Sequence, residues 1–266
     1  MGIDKKSLKI RDIHTAQGQG ETLFTGNIFI FHAFDIGDDI NLEQIKQATP
    51  VLLRPLTLSK YFKNYHMPLP IDLPHPHNSN RFSSANIHSF GVVSLVYKIP
   101  FRDNLEGIRK ELSIIDSEFQ EQSVTDANSI YRAIKQFIKQ PRFFHLRTSY
   151  VVVQTDPQPE QFSIVELKQK FGGIIADTLR FETETLAEHQ RNEILDDAIG
   201  YYRGDLFILD THAAFVYDDD YQEALDLFEF ANIQQLELQY FDRMLDKQLN
   251  TVYQREVRHV PFKLYL

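Results

Sequence analysis

The chain has 266 residues, 42% hydrophobic and 24% charged, which is the composition of a folded globular protein long enough to bury a sizeable core. Its 37 acids outweigh its 28 lysines and arginines for a net charge of −9, and without a dense basic run this argues against general nucleic-acid binding, which needs a positive surface to displace counterions. The absence of cysteine excludes disulfides, cysteine–zinc sites, thiol nucleophiles and iron–sulfur clusters together, and agrees with a cytoplasmic setting. The N-terminal MGIDKKSLKIRDIH is charged where a secretory leader is apolar, and no stretch approaches the ~18 uncharged apolar residues of a membrane helix.

Along the chain, TGNIFIFHAFDIGDD (Thr25 to Asp39) reads as a strand and turn. Phe29, Phe31 and Ala33 alternate with Ile28, Ile30 and His32, so the strand is expected to be buried on both sides. NLEQIKQAT follows as a short helix capped by Asn41. HMPLPIDLPHPHNSN (His66 to Asn80) has four prolines. Each removes a backbone donor and fixes φ, so an extended surface loop is expected, and with it a boundary between a lobe of residues 1–80 and a lobe of 81–266, or else one compact domain. IHSFGVVSLVYKIP (Ile87 to Pro100) reads as one strand. FRDNLEGIRKELSIIDSEFQ and DANSIYRAIKQFIKQP read as two helices, LRTSYVVVQTD as a strand, and EQFSIVELKQKFGGIIADTLRFETETLAEHQRNEILDDAI as one long helical run. In that run Gly172-Gly173 marks a weak or close-packed point, and it lacks the spacing of a phosphate-binding loop. DLFILDTHAAFVYDDD (Asp205 to Asp220) reads as two short strands joined at Thr211-His212. The fold class is α+β: a mixed β-sheet packed with helices, ending in a long C-terminal helix.

That last helix is expected from Asp219 to Gln254, on the order of 50 Å long. Ala224, Ala231, Leu238, Leu245 and Val252 recur every seven residues, with Leu227, Gln234, Phe241 and Gln248 between them. This is a heptad pattern, so the helix is expected to pack on another helix, with the two glutamines setting register. Phe230, Ile233 and Tyr240 lie off the seam and define a second apolar face; Glu237 and Asp242 fall close to packed faces. Core scaffold, partner surface and catalytic surface follow in that order, because no second acid, base or nucleophile stands at a telling spacing.

The tail ALDLFEFANIQQLELQYFDRMLDKQLNTVYQ, together with SFGVVSLVYKIP, GIIADTLRFETETL and IGYYRGDLFILD, resembles the required-for-meiotic-nuclear-division (sporulation) family, most closely its uncharacterised bacterial branch. The resemblance covers about Ile87 to Gln254. On its motif fall Tyr201, Asp205, Asp210, Glu229, Asn232, Glu237, Leu238, Asp242, Leu245 and Asp246, the candidate motif or interaction residues. The chain has Thr211 where that branch often has Trp after the hairpin acid. The resemblance implies no catalytic residues and no cofactor; it implies a homo-oligomer engaged in assembly, with membrane contact only where a longer native chain carries a C-terminal segment.

His66, His75, His77 and His88 surround the proline loop. Imidazoles are common metal ligands, but no metal-site spacing is matched, and a solvated histidine-rich loop is the simpler account. YDDDY (Tyr217 to Tyr221) reads as acids at the positive end of a helix dipole rather than a cation site. The expected function is a non-enzymatic oligomerising scaffold acting through protein contacts. The alternative is a metal-dependent hydrolase using the histidine loop or the hairpin acids.

Overall fold

The computed structural model describes residues 22–48, 68–72, 82–143, 146–157, 162–181, 186–197, 199–202, 205–210 and 212–259. Its centre is β1 (Phe24–Asp35), paired antiparallel with β5 (Val92–Asp103) on one side and β7 (Arg147–Thr155) on the other. With β3 (Leu69–Asp72), β4 (Phe82–His88), β8 (Ile199–Tyr202), β9 (Asp205–Leu209) and β10 (Ala213–Tyr217), these form a mixed sheet ordered β3-β4-β5-β1-β7-β10-β9-β8, in which only the β7–β10 pairing is parallel among those described. A two-stranded sheet of β2 (Asp39–Ile40) and β6 (Ile138–Lys139) stands beside it. The main sheet draws strands from both sides of the 80/81 boundary, since β1 and β3 lie before it and β4 and β5 after.

The alternation in β1 explains the layers. Ile28, Ile30 and Phe34 face one core with α2 (Leu105–Ile134), α3 (Ile164–Leu179) and α4 (Glu188–Asp197), through Ile108, Leu112, Ile175 and Ile194. Phe29, Phe31 and Ala33 face the opposite side, where Leu225, Phe228, Ile233 and Leu236 of α5 (Gln222–His259) cover them. The fold is thus α+β, with helices on both faces and a 38-residue C-terminal helix. Among the described residues no helix is long and apolar enough to cross a membrane.

Several elements differ from the sequence expectation. The two helices expected after β5 are one 30-residue helix, α2, capped by Asn104, whose side chain accepts from the Gly107 N–H at 2.7 Å. Neither Gly nor Pro falls between the two halves, and the Ser123, Thr125 and Ser129 hydroxyls donate back to carbonyls of the preceding turn without breaking it. The long helical run is instead α3 and α4. Ser163 and Glu166 form a capping box at the start of α3, and Phe181, at φ 55, turns the chain out at its end. Gly172 sits beneath Leu195 and Gly173 beneath Arg191, so the glycine pair lets α4 approach α3 closely. The single strand expected at 87–100 is a hairpin of β4 and β5, turned at Gly91 with φ +95; a Cβ there would meet the Gly37 carbonyl oxygen at 1.8 Å. Part of the expected proline loop is edge strand β3, where Pro70 pairs with Asn86 and proline's missing donor is tolerated. The α1 helix (Leu42–Ala48), its cap at Asn41 and the β9–β10 hairpin lie where the sequence placed them.

His32 is fully buried in the centre of β1, edge-on to the Tyr97 ring at 6.1 Å, and neither ring nitrogen has a hydrogen-bond partner among the described residues. Burial, with a smaller push from Arg147, lowers its pKa from 6.5 to about 4. The folded pKa lies below the unfolded one, so between these values protons bind preferentially to the unfolded chain. The contribution of neutral His32 is complete above pH 6.5 and is lost as pH falls toward 4, by about 3 kcal/mol. Urea unfolding at pH 7 and pH 4 should show this loss, and His32→Leu should remove that part of the acid sensitivity.

Candidate functional site

The sheet-facing stripe of α5 is not wholly apolar. Glu229 is buried, and its two carboxylate oxygens accept from Asn86 Nδ2 on β4 at 2.8 and 3.0 Å. One turn on, buried Asn232 offers its backbone carbonyl to the Thr148 hydroxyl of β7 at 3.0 Å. Neither side-chain atom of Asn232, nor the hydroxyl of buried Ser94, has a hydrogen-bond partner among the described residues. The Glu229–Asn86 and Thr148–Asn232 hydrogen bonds fix where α5 sits along the sheet, because a slide of one turn strands Glu229 in the interior without its amide.

Beyond the sheet, α5 is held by an ionic hub. Arg142 donates from Nε to both oxygens of Asp35 at 3.0 and 2.8 Å, from Nη1 to Asp38 and from Nη2 to the Gly37 carbonyl at 3.3 Å. Its guanidinium lies 4.8 Å from the centre of the Tyr240 ring on α5. Burial opposes its charge, but the hydrogen bonds to Asp35 and Asp38 outweigh this and raise its pKa. Half-buried Glu237 stands beside this hub; burial and Asp35 raise its pKa against the opposing pull of Arg142.

Among the described residues, nothing covers the opposite side of α5. Leu238 is 65% exposed, Phe241 55%, Leu245 56% and Val252 51%; exposed Leu227 lies on the same surface, exposed Met244 and Leu249 on its flanks, and exposed Tyr253 farther round the helix. At 100° per residue, the heptad positions from Leu227 to Val252 lie roughly 120–180° around the helix from the sheet stripe of Leu225, Phe228, Asn232, Ile233 and Leu236, while Ala224 still packs on the sheet side. Gln234, Gln248, Asp242 and Asp246 are exposed along or beside it.

A second arrangement lies across the other face of the sheet, in a cleft of about 350 Å³ lined by Phe24, Asn104, Glu106, Arg109, Phe171, Asp177 and Arg191 among others. Asp177 of α3 is almost fully buried. It accepts from Arg191 Nε of α4 at 2.9 Å, from Arg191 Nη2 at 2.5 Å, from Arg109 Nη1 of α2 at 3.4 Å and from the Leu186 N–H at 3.1 Å. Those hydrogen bonds raise the Arg191 pKa. Arg109 turns its other nitrogens to Glu106. The charges cancel within the cluster, which clamps three helices and presents no nucleophile–base pair. The sequence reading named none of these roles; the one signal was a lone acid in the apolar run GIIADTL.

The remaining sequence candidates are dispersed. Asp210 closes the β9–β10 hairpin and meets Arg180 Nε at 2.5 Å, while the Tyr150 hydroxyl donates to its backbone carbonyl at 3.1 Å. Burial, then the Asp210 charge, raises the Tyr150 pKa. Tyr201 lies on β8 and Asp205 opens β9, where it pairs with Tyr202. His88 is buried against Phe90, with ring centres 5.1 Å apart; His66, His75 and His77 lie outside the described residues. Among the described residues no group of three or more His, Cys, Asp or Glu is placed to hold a metal ion.

A mixed sheet with helices on both faces and a long, half-covered last helix defines an α+β protein of the kind collected under the description "Uncharacterized protein MJ0711, N-terminal domain". The chain belongs to that family, whose model matches residues 25–223, from β1 to the first turn of α5. No curated protein and no solved structure matches it.

Removing the central acid of the helix clamp leaves Arg109 buried beside Arg191 without their shared carboxylate. Asp177→Ala should cost roughly 3 kcal/mol, read as a lowered urea midpoint at unchanged slope.

Proposed function

We propose that this chain is a non-enzymatic assembly protein that associates with further copies of itself through the outward seam of α5. The carrying observation is the position of the heptad. Its apolar positions lie opposite the stripe that holds the helix to the sheet and remain exposed from Leu238 to Val252. A helix with two apolar stripes half a turn apart has one more than its own fold uses.

A second copy fits this surface. The seam is periodic, so it complements itself when two copies run side by side. Leu227, Leu238, Phe241, Leu245 and Val252 on the seam and Met244 and Leu249 on its flanks are each 41–65% exposed. They offer on the order of 700 Å² per copy, near the ~800 Å² per partner of a standard protein–protein interface. The chain's resemblance to the required-for-meiotic-nuclear-division family, which implies homo-oligomeric assembly proteins, supports the same reading.

Because Leu238 and Leu245 are exposed in the single chain, replacing them leaves the fold intact. Light scattering should give an oligomer for the wild type and a monomer for Leu238→Asp, Leu245→Asp, with unchanged far-UV circular dichroism. A wild-type monomer at working concentration overturns the proposal, and so does an oligomer that the double substitution leaves whole.

A further inference from the structure

We infer that two copies pair through this seam in parallel and in register, with Gln234 meeting the partner's Gln234 and Gln248 the partner's Gln248. This rests on the self-association just proposed and adds its direction and register.

The two amides decide it. Both occupy the same class of seam position, four residues before the next seven-residue position, and both are exposed in the single chain. In a parallel pair each seam position meets its own copy, so each glutamine faces a glutamine and the two amides hydrogen-bond each other. In an antiparallel pair this class of position meets the other class, which is Ala, Leu or Val at every step from Ala224 to Val252. Whatever the antiparallel register, both amides are then buried against apolar neighbours. Each amide left without a partner weakens association by about tenfold to hundredfold. A parallel pair shifted by seven residues has the same defect, since Gln234 would then meet Phe241.

One contact opposes the parallel arrangement. Glu237 would lie across from the partner's Asp242 on the flank of the seam. Asp242 is exposed, and Glu237 already lies beside Arg142 of its own chain. Symmetry makes this contact twice; across water each weakens association by about fivefold at most, together less than four unpartnered amides cost. The repulsion predicts that moderate salt strengthens pairing slightly.

The absence of native cysteine makes the test clean. Leu238→Cys and Val252→Cys are made singly at exposed positions and oxidised, alone and as a mixture. The two positions lie ~21 Å apart along the helix. A parallel in-register pair brings each cysteine to its own copy, so each variant alone should form a covalent dimer, and the mixture should add no 238–252 cross-link. An antiparallel pair can bring at most one of these positions to itself. A cross-link in only one variant, only in the mixture, or in neither, from protein whose mass is that of an oligomer, overturns the parallel register and leaves self-association standing. A wild-type monomer by light scattering overturns both.

Discussion

The structure depends on the burial of β1 on both faces. Eight of its twelve residues form one continuous buried run from Ile28 to Asp35, and both pleats are largely apolar. A strand of this kind cannot stand at an edge or face water on one side, so the sheet needs a helical layer above and below. Helices α2, α3 and α4 form one layer, while the first half of α5 covers the other. The covering is therefore asymmetric. Among the described residues one face receives three helices that brace one another, and the other a single helix, whose far side has nothing described against it.

Charge is used in this fold to fix the positions of helices that apolar contact alone would let slide. Asp177 joins α2, α3 and α4 through two guanidinium groups. Glu229 ties α5 to β4, and Arg142 ties the loop after β6 to the β1–β2 turn and to Tyr240 of α5. Each of these charges has a partner in hydrogen-bond range, which is the condition under which such groups are tolerated inside. The perturbed acid Glu237 sits beside one of these ties. Shifted groups often mark active sites, but here burial first and the Asp35 charge second account for the raised pKa. His32 belongs to the same account: its depressed pKa comes first from desolvation in a core strand.

What was legible in the sequence was local. Period-two alternation revealed β1 as buried on both sides, Asn41 marked a helix start, and the β9–β10 hairpin followed from its paired short runs. Errors arose where a boundary depended on backbone geometry at one residue. Gly91 with φ +95 turns a run of β-branched residues into two strands, and Phe181 with φ 55 ends a helix whose pattern continues. The site was less legible for a different reason. Arg109, Asp177 and Arg191 are 68 and 14 residues apart, and no spacing rule links groups that tertiary packing alone brings together. In the sequence Glu229 and Asn232 stood only on the resembled motif; that both face the sheet depends on where α5 packs, which no local spacing encodes.

The last helix shows how pattern and burial separate. Its heptad is the strongest periodic signal in the chain, and periodicity alone assigns such a seam to the core. The residues that in fact reach the sheet, Leu225, Phe228, Ile233 and Leu236, follow the ordinary amphipathic spacing of a helix on a sheet and carry Glu229 and Asn232 among them. The stronger apolar pattern is on the outside and the more polar stripe is inside. Selection for folding alone would place them the other way round, since exposed Leu238, Phe241 and Leu245 gain nothing from water. The self-association proposed above would give this solvent-facing stripe a partner helix, and a seven-residue repeat is the pattern that a second copy of the same helix can match.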